Sequence, residues 1–287
     1  MTTASSENIL LVDSRAGDQP QSTSHNPQSI SALVITKNEA ENIRECLASL
    51  QWVDEIVVVD AESTDGTVAQ AKAFTDKIFV RQWEGFSAAK SFALSQCSGE
   101  WVLWIDADER VTPELRDEIV ATLAGKPTVN GYEIPRLANF LGRWIRHGGW
   151  YPGDVLRLFR REVGHFNEKQ VHEGVQVAGE IGRLANHLLH YTDRNLQHYF
   201  DKFNHYTSLA AEELHRQDKR FHLWDLLFRP FWFFLRMYVF KAGFLDGMQG
   251  FILASLSSAY VFAKYAKLWE RQKSKSLLTL KNISERK

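Results

Sequence analysis

The chain has 287 residues, of which 44% are hydrophobic, enough for one main domain with an appendage but too few for two large domains. The formal net charge of −1 gives no overall field that attracts nucleic acid, so we expect no nucleic-acid partner. The only two cysteines, Cys46 and Cys97, fall in helical apolar patterns and predict a reducing, cytosolic location.

Residues 1–29 differ in composition from the rest of the chain. They are rich in Ser, Thr, Gln, Asn and Pro and are predicted to form a disordered N-terminal segment. They lack the basic start and continuous apolar stretch of a secretory signal, so we do not expect export.

The first predicted strand and helix follow this segment. The apolar run Ile30–Thr36 predicts a buried strand. Asn38 and Glu41 have the spacing of a capping box, which predicts that a helix begins just after Asn38. The core-facing side of that helix has the spacing i, i+3, i+4, i+7 and consists of Ile43, Cys46, Leu47 and Leu50.

Strand and helix patterns then alternate along the chain. Further strands are predicted at Glu55–Asp60, Lys77–Arg81 and Trp101–Ile105, with helices from near Gly66 and over Ser87–Cys97. This order predicts an α/β fold with a Rossmann-like, mostly parallel, doubly wound sheet. Ligands of such sheets bind outside the carboxyl ends of the strands.

Asp106 and Asp108 form a D-x-D motif at the end of the all-apolar strand. Hard cations such as Mg²⁺ and Mn²⁺ take oxygen ligands, commonly one or two carboxylates together with phosphate oxygens of a substrate. The motif therefore predicts a divalent-cation site for a phosphorylated substrate. The alternative is that the two aspartates only start the turn before a helix that Thr112 and Pro113 cap.

Other polar residues follow the first two strands at the same edge of the predicted sheet. They are Thr36, Lys37 and Glu39 after the first strand and Asp60 at the end of the second. The sequence TKNEAEN after the first strand contains no glycine, which excludes a classical dinucleotide-binding turn. A strand-end carboxylate such as Asp60 can accept hydrogen bonds from a nucleoside, so we expect these four residues to belong to a nucleotide site. Asp65 either joins that site or caps the next helix, and capping is the interpretation we favour.

Three segments together carry a family resemblance. VITKNEAENIRECLASL, VVVDAESTDGT and WIDADE closely resemble the family 2 glycosyltransferases, which have the GT-A fold. RLFRR, VHEGV and the aromatic C-terminal region resemble the lipopolysaccharide core β-1,4-glucosyltransferase subgroup. The resemblance implies inverting transfer of a sugar, glucose from UDP-glucose, to an inner-core heptose of lipopolysaccharide or a lipid-linked acceptor.

The resemblance also implies roles for individual residues. Asp106 and Asp108 would bind the metal and the diphosphate, and Asp60 would contact the nucleoside. Lys90 matches a position that often holds a basic residue near the base or phosphates, although it is equally a candidate for a solvated helix lysine. Arg157 and Arg160 project to opposite strand faces, and we expect Arg157 to reach the diphosphate.

Inversion requires a base that takes the proton of the acceptor hydroxyl. The candidates are Glu173, His172 and Asp154. We favour Glu173, because the polar pair in QVHEGVQVAG has little reason to be there for packing. Asp154 is the second choice, since a turn aspartate after Pro152 and Gly153 needs no catalytic explanation. The subgroup departs from the Glu-Asp pair of many family members. The histidines between residues 165 and 190 match no common zinc-ligand spacing and are predicted to be structural.

The C-terminal region, residues 193–287, is predicted to be helical and distinct from a catalytic domain at 30–192. Asn195–Gln217 has an amphipathic helical pattern, and a strongly aromatic segment follows it. Charged residues interrupt that segment, so we expect no clean transmembrane span but helices that lie on the inner face of the cytoplasmic membrane. The alternative is a buried helix pair or an oligomer contact.

Two rival functions are considered. Haloacid dehalogenase-type phosphatases also place D-x-D after a strand, but they continue with Thr or Val where this chain has Arg110. A catalytically inactive nucleotide-sugar-binding or membrane-scaffolding protein would keep Asp60 but tolerate loss of Asp108 or Glu173.

Overall fold

The computed structural model describes residues 28–166, 174–193 and 195–284, with the side chains of Phe86, Asp193 and residues 274–284 left out. The N-terminal segment that is predicted to be disordered, residues 1–29, lies almost entirely outside these ranges. The base candidates His172 and Glu173 also lie outside the described residues.

Thirteen strands and seven α-helices lie within the described residues. The strands are β1 Ile30–Thr36, β2 Glu55–Asp60, β3 Ile78–Val80, β4 Trp101–Asp106, β5 Glu109–Val111, β6 Gly131–Ile134, β7 Arg136–Phe140, β8 Arg143–Ile145, β9 Val155–Arg160, β10 Gly164–Phe166, β11 Val175–Val177, β12 Ile181–Arg183 and β13 Leu188–Asp193. The helices are α1 Ile43–Ala48, α2 Thr67–Ala71, α3 Phe86–Gln96, α4 Pro113–Ala124, α5 Leu196–Arg216, α6 Leu223–Leu235 and α7 Gly247–Ser284.

The main sheet has seven strands in the order β12-β6-β9-β4-β1-β2-β3. Strands β4, β1, β2 and β3 are parallel neighbours, whereas β9 runs antiparallel to both β4 and β6. The predicted bounds of β1 and β2 are confirmed, and β4 extends one residue further, to Asp106. The predicted α/β fold with a mostly parallel sheet is therefore correct, with antiparallel additions on the β9 side.

The helix after β1 packs as predicted but begins later. Ile43, Cys46, Leu47 and Leu50 are all fully buried against the sheet. The prediction that Asn38 caps this helix is wrong, because α1 begins at Ile43. Asn38 has a left-handed backbone (φ 54°), and its side-chain oxygen accepts a hydrogen bond from the Thr64 backbone N–H at 2.9 Å. It ties the loop after β1 to the loop after β2.

A second sheet of four strands, in the order β5-β13-β7-β8, stands beside the carboxyl end of β4. The sequence patterns did not predict it as a sheet. Strand β13 pairs antiparallel with β5, and His190 lies opposite Glu109 in that register. Because β5 directly follows the D-x-D motif, this pairing fixes the backbone around both aspartates.

The C-terminal helices pack on this second sheet and on one another. Helix α5 matches the predicted segment, with Asn195 as its N-cap and Gln217 as its C-cap. Lys267 of α7 donates hydrogen bonds of 2.8–3.0 Å to Asn204, Thr207 and Ser208 of α5. Among the described residues, no helix combines the length and the apolarity that crossing a bilayer requires.

Candidate active site

A cleft of about 1090 Å³ opens at the carboxyl ends of β1 and β4. Its walls come from three places: the ends of the parallel strands, the second sheet, and helix α5. Of the described residues that line it, five are Lys or Arg and three are Asp or Glu. Both aspartates of the D-x-D motif lie on its surface, as expected for strand-end residues.

Asp106 is held by a buried network at the floor of the cleft. Its carboxylate accepts a hydrogen bond from Arg157, whose guanidinium also donates to Glu109 at 2.7 Å. Glu109 is fully buried and accepts the Asp106 backbone N–H at 3.0 Å. The side chain of Asp106 keeps 38% exposure, so this carboxylate faces the cleft while the network fixes its position.

Positive charges keep Asp106 ionised. Burial on its own would raise the pKa of Asp106, but the charges of Arg157 and Lys90 outweigh burial and hold that pKa below 3.8. Both cations also lie over the ring of Trp104, with Lys90 Nζ at 4.1 Å and Arg157 Cζ at 4.0 Å from the ring centroid. Trp104 therefore serves as the platform on which these two cations are placed.

Asp108 lies on the cleft wall beside the second sheet. His190 Nε2 is 3.3 Å from Asp108 Oδ2, and the backbone carbonyl of Asp108 accepts from the Tyr191 N–H at 2.9 Å. The side chain of Asp108 is 19% exposed. The expectation of a purely structural histidine missed this contact, which could be found only once the pairing of β13 with β5 was known.

The end of β1 supplies further cleft residues, as predicted. Thr36, Lys37 and Glu39 all line the cleft. Thr36 is 3% exposed, and its hydroxyl has no hydrogen-bond partner among the described residues. A buried hydroxyl without a partner is costly unless a ligand or water satisfies it.

Asp60 and Asp65 lie outside the main cleft. Asp60 is fully buried, and its two oxygens accept hydrogen bonds from the backbone N–H and the hydroxyl of Ser63. It borders a small neighbouring cavity together with Trp83, which also lines the cleft. Asp65 accepts from the backbone N–H groups of Thr67 and Ala40, although the N-cap position of α2 is Gly66 and not Asp65.

Lys90 and Arg157 are both less accessible than the sequence suggested. Lys90 is 6% exposed and lines the cleft, so it is not a solvated helix lysine. Arg157 is 2% exposed and contacts two carboxylates. Arg160, on the opposite strand face, pairs with Glu100 away from the cleft, which confirms that only one of the two arginines faces it.

The three base candidates differ in how far they are described. Asp154 is absent from the cleft lining and accepts a hydrogen bond from Arg183 at 3.1 Å. His172 and Glu173 lie outside the described residues, although the next residue in the chain, Gly174, lines the cleft.

Several residues of the site were not identified from the sequence. Glu109, which is fully buried and does not line the cleft, is one, although it stands next to the D-x-D motif, because only coordinates reveal its burial. The others are Arg136 and Trp150 near the second sheet, together with Lys202, His205, Tyr206 and Leu209 on α5. The predicted boundary at residue 193 thus separates parts of the chain that share one cleft.

Within residues 28–166, 174–193 and 195–284, no three His, Cys, Asp or Glu side chains form a complete metal-ligand group. The available donors are the carboxylates of Asp106 and Asp108, which are hard oxygen ligands on the cleft surface. Two carboxylates are a sufficient protein contribution for Mg²⁺ or Mn²⁺ when substrate phosphates and water complete the coordination. The donor set fits such an ion.

Comparisons with known proteins agree with this architecture. Residues 31–176 match the model of glycosyl transferase family 2, a range that includes β4 and both strand-end aspartates. The lipopolysaccharide core biosynthesis glycosyltransferase LpsC of Rhizobium meliloti (strain 1021) is 34% identical over 259 residues, 86% of this chain and 94% of that protein. The chain belongs to glycosyltransferase family 2.

Two further comparisons extend over most of this glycosyltransferase. An uncharacterized glycosyltransferase of Rickettsia felis is 32% identical and covers 90% of this chain and 94% of its own. Among solved structures, the mannosyltransferase PcManGT from Pyrobaculum calidifontis, in complex with GDP-Man and Mn²⁺, has a TM-score of 0.50 at 16% identity. That match covers 88% of this chain and 91% of PcManGT. Membership of the family gives no support to the phosphatase alternative.

Proposed function

We propose that this glycosyltransferase moves a sugar from a nucleotide-diphospho-sugar to a hydroxyl of lipopolysaccharide core, with inversion. The observation that carries the proposal is the pair of strand-end carboxylates, Asp106 and Asp108, on one cleft that also contains Lys90 and Arg157. The cleft is large enough for a donor of this class, since sites for small molecules span about 300–1,000 Å³. The similarity to LpsC, a glycosyltransferase of lipopolysaccharide core biosynthesis, supports the lipopolysaccharide core as acceptor.

Asp106 and Asp108 would hold Mg²⁺ or Mn²⁺ together with the donor diphosphate. The bound ion supplies positive charge that offsets the charge growing on the departing nucleoside diphosphate. This chain's own contribution is to keep Asp106 ionised and fixed through Arg157 and Glu109. The PcManGT complex supports the pairing of a nucleotide sugar with Mn²⁺ on this fold. The Thr36 hydroxyl and Lys90 would contact the donor from the β1 side and the Trp104 side.

Glucose and uridine are the donor parts we propose, on the resemblance stated above. A panel of nucleotide sugars tests both at once. With Mn²⁺ and an acceptor present, we expect UDP to be released from UDP-glucose, and GDP to be released much more slowly from GDP-mannose. NMR of the product is expected to show the anomeric configuration opposite to that of the donor. Release from no member of the panel would contradict the proposed function.

We propose Glu173 as the base, with Asp154 as the competing candidate. The Glu173→Gln variant is expected to lower kcat by about 10²–10⁴-fold, the usual contribution of a general base. Asp154→Asn is the matched control, because Asp154 is bound to Arg183 and lies off the cleft. It is expected to stay within about threefold of wild type in steady-state transfer. The reverse pattern would move the base to Asp154.

We also propose that the C-terminal helices attach the protein to an anionic membrane, on the inner face of the cytoplasmic membrane. Apolar side chains of α6 recur at i, i+1, i+4, i+5, i+8 and i+9, which is one helix face. They are 53–65% exposed and comprise Leu223, Trp224, Leu227, Phe228, Phe231 and Trp232. A face this apolar is unusual on a surface that stays in water.

The charge of the same region favours an anionic partner. Lys219, Arg220, Arg229, Arg236 and Lys241 are all exposed. The two acidic residues between positions 219 and 246 are buried: Asp225 pairs with Arg229 and Asp246 with His147. Aromatic residues beside such cations suit the headgroup layer of an anionic leaflet. This complementarity favours a bilayer over a second copy of the chain, which would bring like charges together.

Replacing two aromatics of α6 tests this attachment. The double variant Phe231→Ser/Trp232→Ser is expected to weaken sedimentation with phosphatidylglycerol-containing vesicles at least tenfold, since each buried ring contributes roughly 1.5–3 kcal/mol. Val80→Ser/Val120→Ser, which removes exposed side chains of β3 and α4, is the control and is expected to bind as wild type. Wild-type protein that stays in the supernatant when the vesicles are pelleted would contradict membrane attachment. A dimer in analytical ultracentrifugation without vesicles would then assign the apolar face of α6 to an oligomer contact.

A further inference from the structure

Two buried N–H groups at the floor of the cleft have no hydrogen-bond partner. They are the indole N–H of Trp104 and the Nε–H of Arg157, and no acceptor for either lies in the part of the chain that the structure describes. Both residues line the cleft, although Trp104 is 6% and Arg157 2% exposed. A buried donor without a partner is costly, so two of them on one binding cleft point to acceptor atoms that a ligand supplies.

The two N–H groups are neighbours and lie beside Asp106. Trp104 and Asp106 are two residues apart on β4 and therefore point to the same face of the sheet. Arg157 donates to the Asp106 carboxylate, and its Cζ lies 4.0 Å from the centroid of the Trp104 ring. Lys90 Nζ lies 4.1 Å from the same centroid, and its flexible stem allows an entering ligand to move it. One ligand next to Asp106 can therefore reach both N–H groups.

The order of the strands indicates which part of the donor lies there. Strands β9, β4, β1 and β2 are consecutive neighbours in the main sheet. Asp60, at the end of β2, is expected to contact the nucleoside, and Asp106, at the end of β4, is proposed to bind the diphosphate through the cation. The sugar is attached to the other end of the diphosphate, so it extends past β4 toward β9. That strand carries Arg157.

The charge around the two N–H groups favours a neutral acceptor atom. The guanidinium of Arg157 already pairs with the carboxylates of Asp106 and Glu109, so its charge offers little to a further phosphate. The indole N–H of Trp104 is uncharged and can only donate. Hydroxyl oxygens accept hydrogen bonds without carrying charge, and a sugar ring presents several of them side by side.

We propose that the indole N–H of Trp104 and the Nε–H of Arg157 donate hydrogen bonds to hydroxyl groups of the donor sugar. This inference rests on the proposed function, because it assigns the sugar part of the same donor. Trp104 thereby contributes to the choice of sugar, since a donor without the accepting hydroxyl leaves a buried N–H unpaired. The nucleoside diphosphate does not contact these groups, so they affect affinity only when the sugar is present.

The Trp104→Phe variant tests the proposal, because it removes the N–H and keeps an aromatic ring. In calorimetric titrations with Mn²⁺, we expect its Kd for UDP-glucose to be about 3–10-fold higher than that of wild type, the usual effect of one hydrogen bond. The Kd for UDP is expected to stay within about twofold. Trp52→Phe is the matched control, since the Trp52 N–H donates to the Ser49 carbonyl at 2.9 Å and Trp52 does not line the cleft. Equal weakening of UDP and UDP-glucose in Trp104→Phe overturns the sugar contact.

Monodeoxy analogues of UDP-glucose, each without one hydroxyl of the sugar, identify the accepting group. We expect wild type to bind one of these analogues about 3–10-fold more weakly than UDP-glucose. Trp104→Phe is expected to bind that analogue and UDP-glucose equally, because the N–H that distinguishes them is gone. The same loss in wild type and Trp104→Phe for every analogue overturns the assignment.

The Arg157→Lys variant gives a second test, which decides the question if Trp104→Phe does not fold. It keeps a cation for Asp106 and Glu109 but removes the Nε–H. The ratio of its Kd for UDP-glucose to its Kd for UDP is expected to be about 3–10-fold higher than in wild type. An unchanged ratio overturns the role given to Arg157. Weaker binding of UDP-glucose by both variants, in a protein that turns over no donor, would support the sugar contacts and contradict the proposed transfer.

Discussion

The Asp108→Asn variant is expected to lose transfer activity by at least 10²–10³-fold while keeping the wild-type fold. The substitution preserves shape but removes one of two carboxylates proposed to hold the cation. Electrostatic stabilisation of a transition state by one group accounts for about this range. Among the described residues, the Asp108 carboxylate contacts His190 at 3.3 Å. Its loss should therefore cost little stability.

Nucleoside diphosphate release at several Mn²⁺ concentrations measures this effect, and thermal unfolding checks the fold. Asp117→Asn, on the exposed side of α4, is the matched control and is expected to behave as wild type. Asp106→Asn is the less informative variant, because it would also disturb Arg157. Activity of Asp108→Asn within threefold of wild type would remove Asp108 from the proposed cation site.

The Arg157→Met variant is expected to lose about 3–5 kcal/mol of unfolding free energy, because it leaves a buried carboxylate without its cation. The carboxylate concerned is that of Glu109, which is fully buried and 2.7 Å from the Arg157 guanidinium. Arg136 also pairs with this carboxylate, at 3.5 Å, but its side chain is 31% exposed, so we expect it to offset the loss only in part. Urea unfolding followed by tryptophan fluorescence measures the loss.

Arg160→Met is the matched control, three residues along the same strand. Arg160 pairs with Glu100, and both side chains are nearly one-third exposed, so we expect a loss of about 1 kcal/mol or less. Equal losses for the two variants would contradict the structural role given to the buried network. A stable Arg157→Met variant with normal activity would contradict its role in fixing Asp106 as well.

The same network predicts a pH dependence of stability. Despite burial, the charges of Arg157 and Lys90 hold the pKa of Asp106 below its unfolded value of 3.8. The Asp106 contribution to stability is therefore fully present at neutral pH and is lost as pH falls below 3.8 toward the lowered pKa. The difference in unfolding free energy between wild type and Asp106→Asn should stay constant from pH 7 to about pH 5 and narrow below 3.8.

Local patterns predicted the parallel half of the sheet because its strands are long, apolar and bounded by polar residues. The runs at Ile30–Thr36 and Glu55–Asp60 contain enough apolar residues for both faces to be covered. The α5 boundaries were also readable, since Asn195 is an N-cap and the apolar spacing is regular. The sequence was sufficient to predict the bounds of an element when the pattern of that element's own residues determines them.

Long-range pairing could not be read in the same way. Strands β5 and β8 have three residues each and carry no clear period. The contact of Arg157 with Asp106 joins residues 51 positions apart, and the contact of His190 with Asp108 joins residues 82 apart. Asn38 shows the opposite failure: a correct capping-box spacing lost to a tertiary contact with Thr64. The sequence therefore identified the strand-end aspartates, Lys90 and Arg157 as site residues, but it did not predict the contacts that hold the aspartates in place.

Calorimetric titration of UDP into the protein, with Mn²⁺ and then with EDTA, tests the central claim most directly. That claim is that a divalent cation at Asp106 and Asp108 binds the donor diphosphate. We expect the Kd of UDP to be at least tenfold lower with Mn²⁺ than with EDTA, and this difference to vanish in Asp108→Asn. An equal Kd for UDP under both conditions in wild type, or an Mn²⁺ effect that persists in Asp108→Asn, would contradict the account.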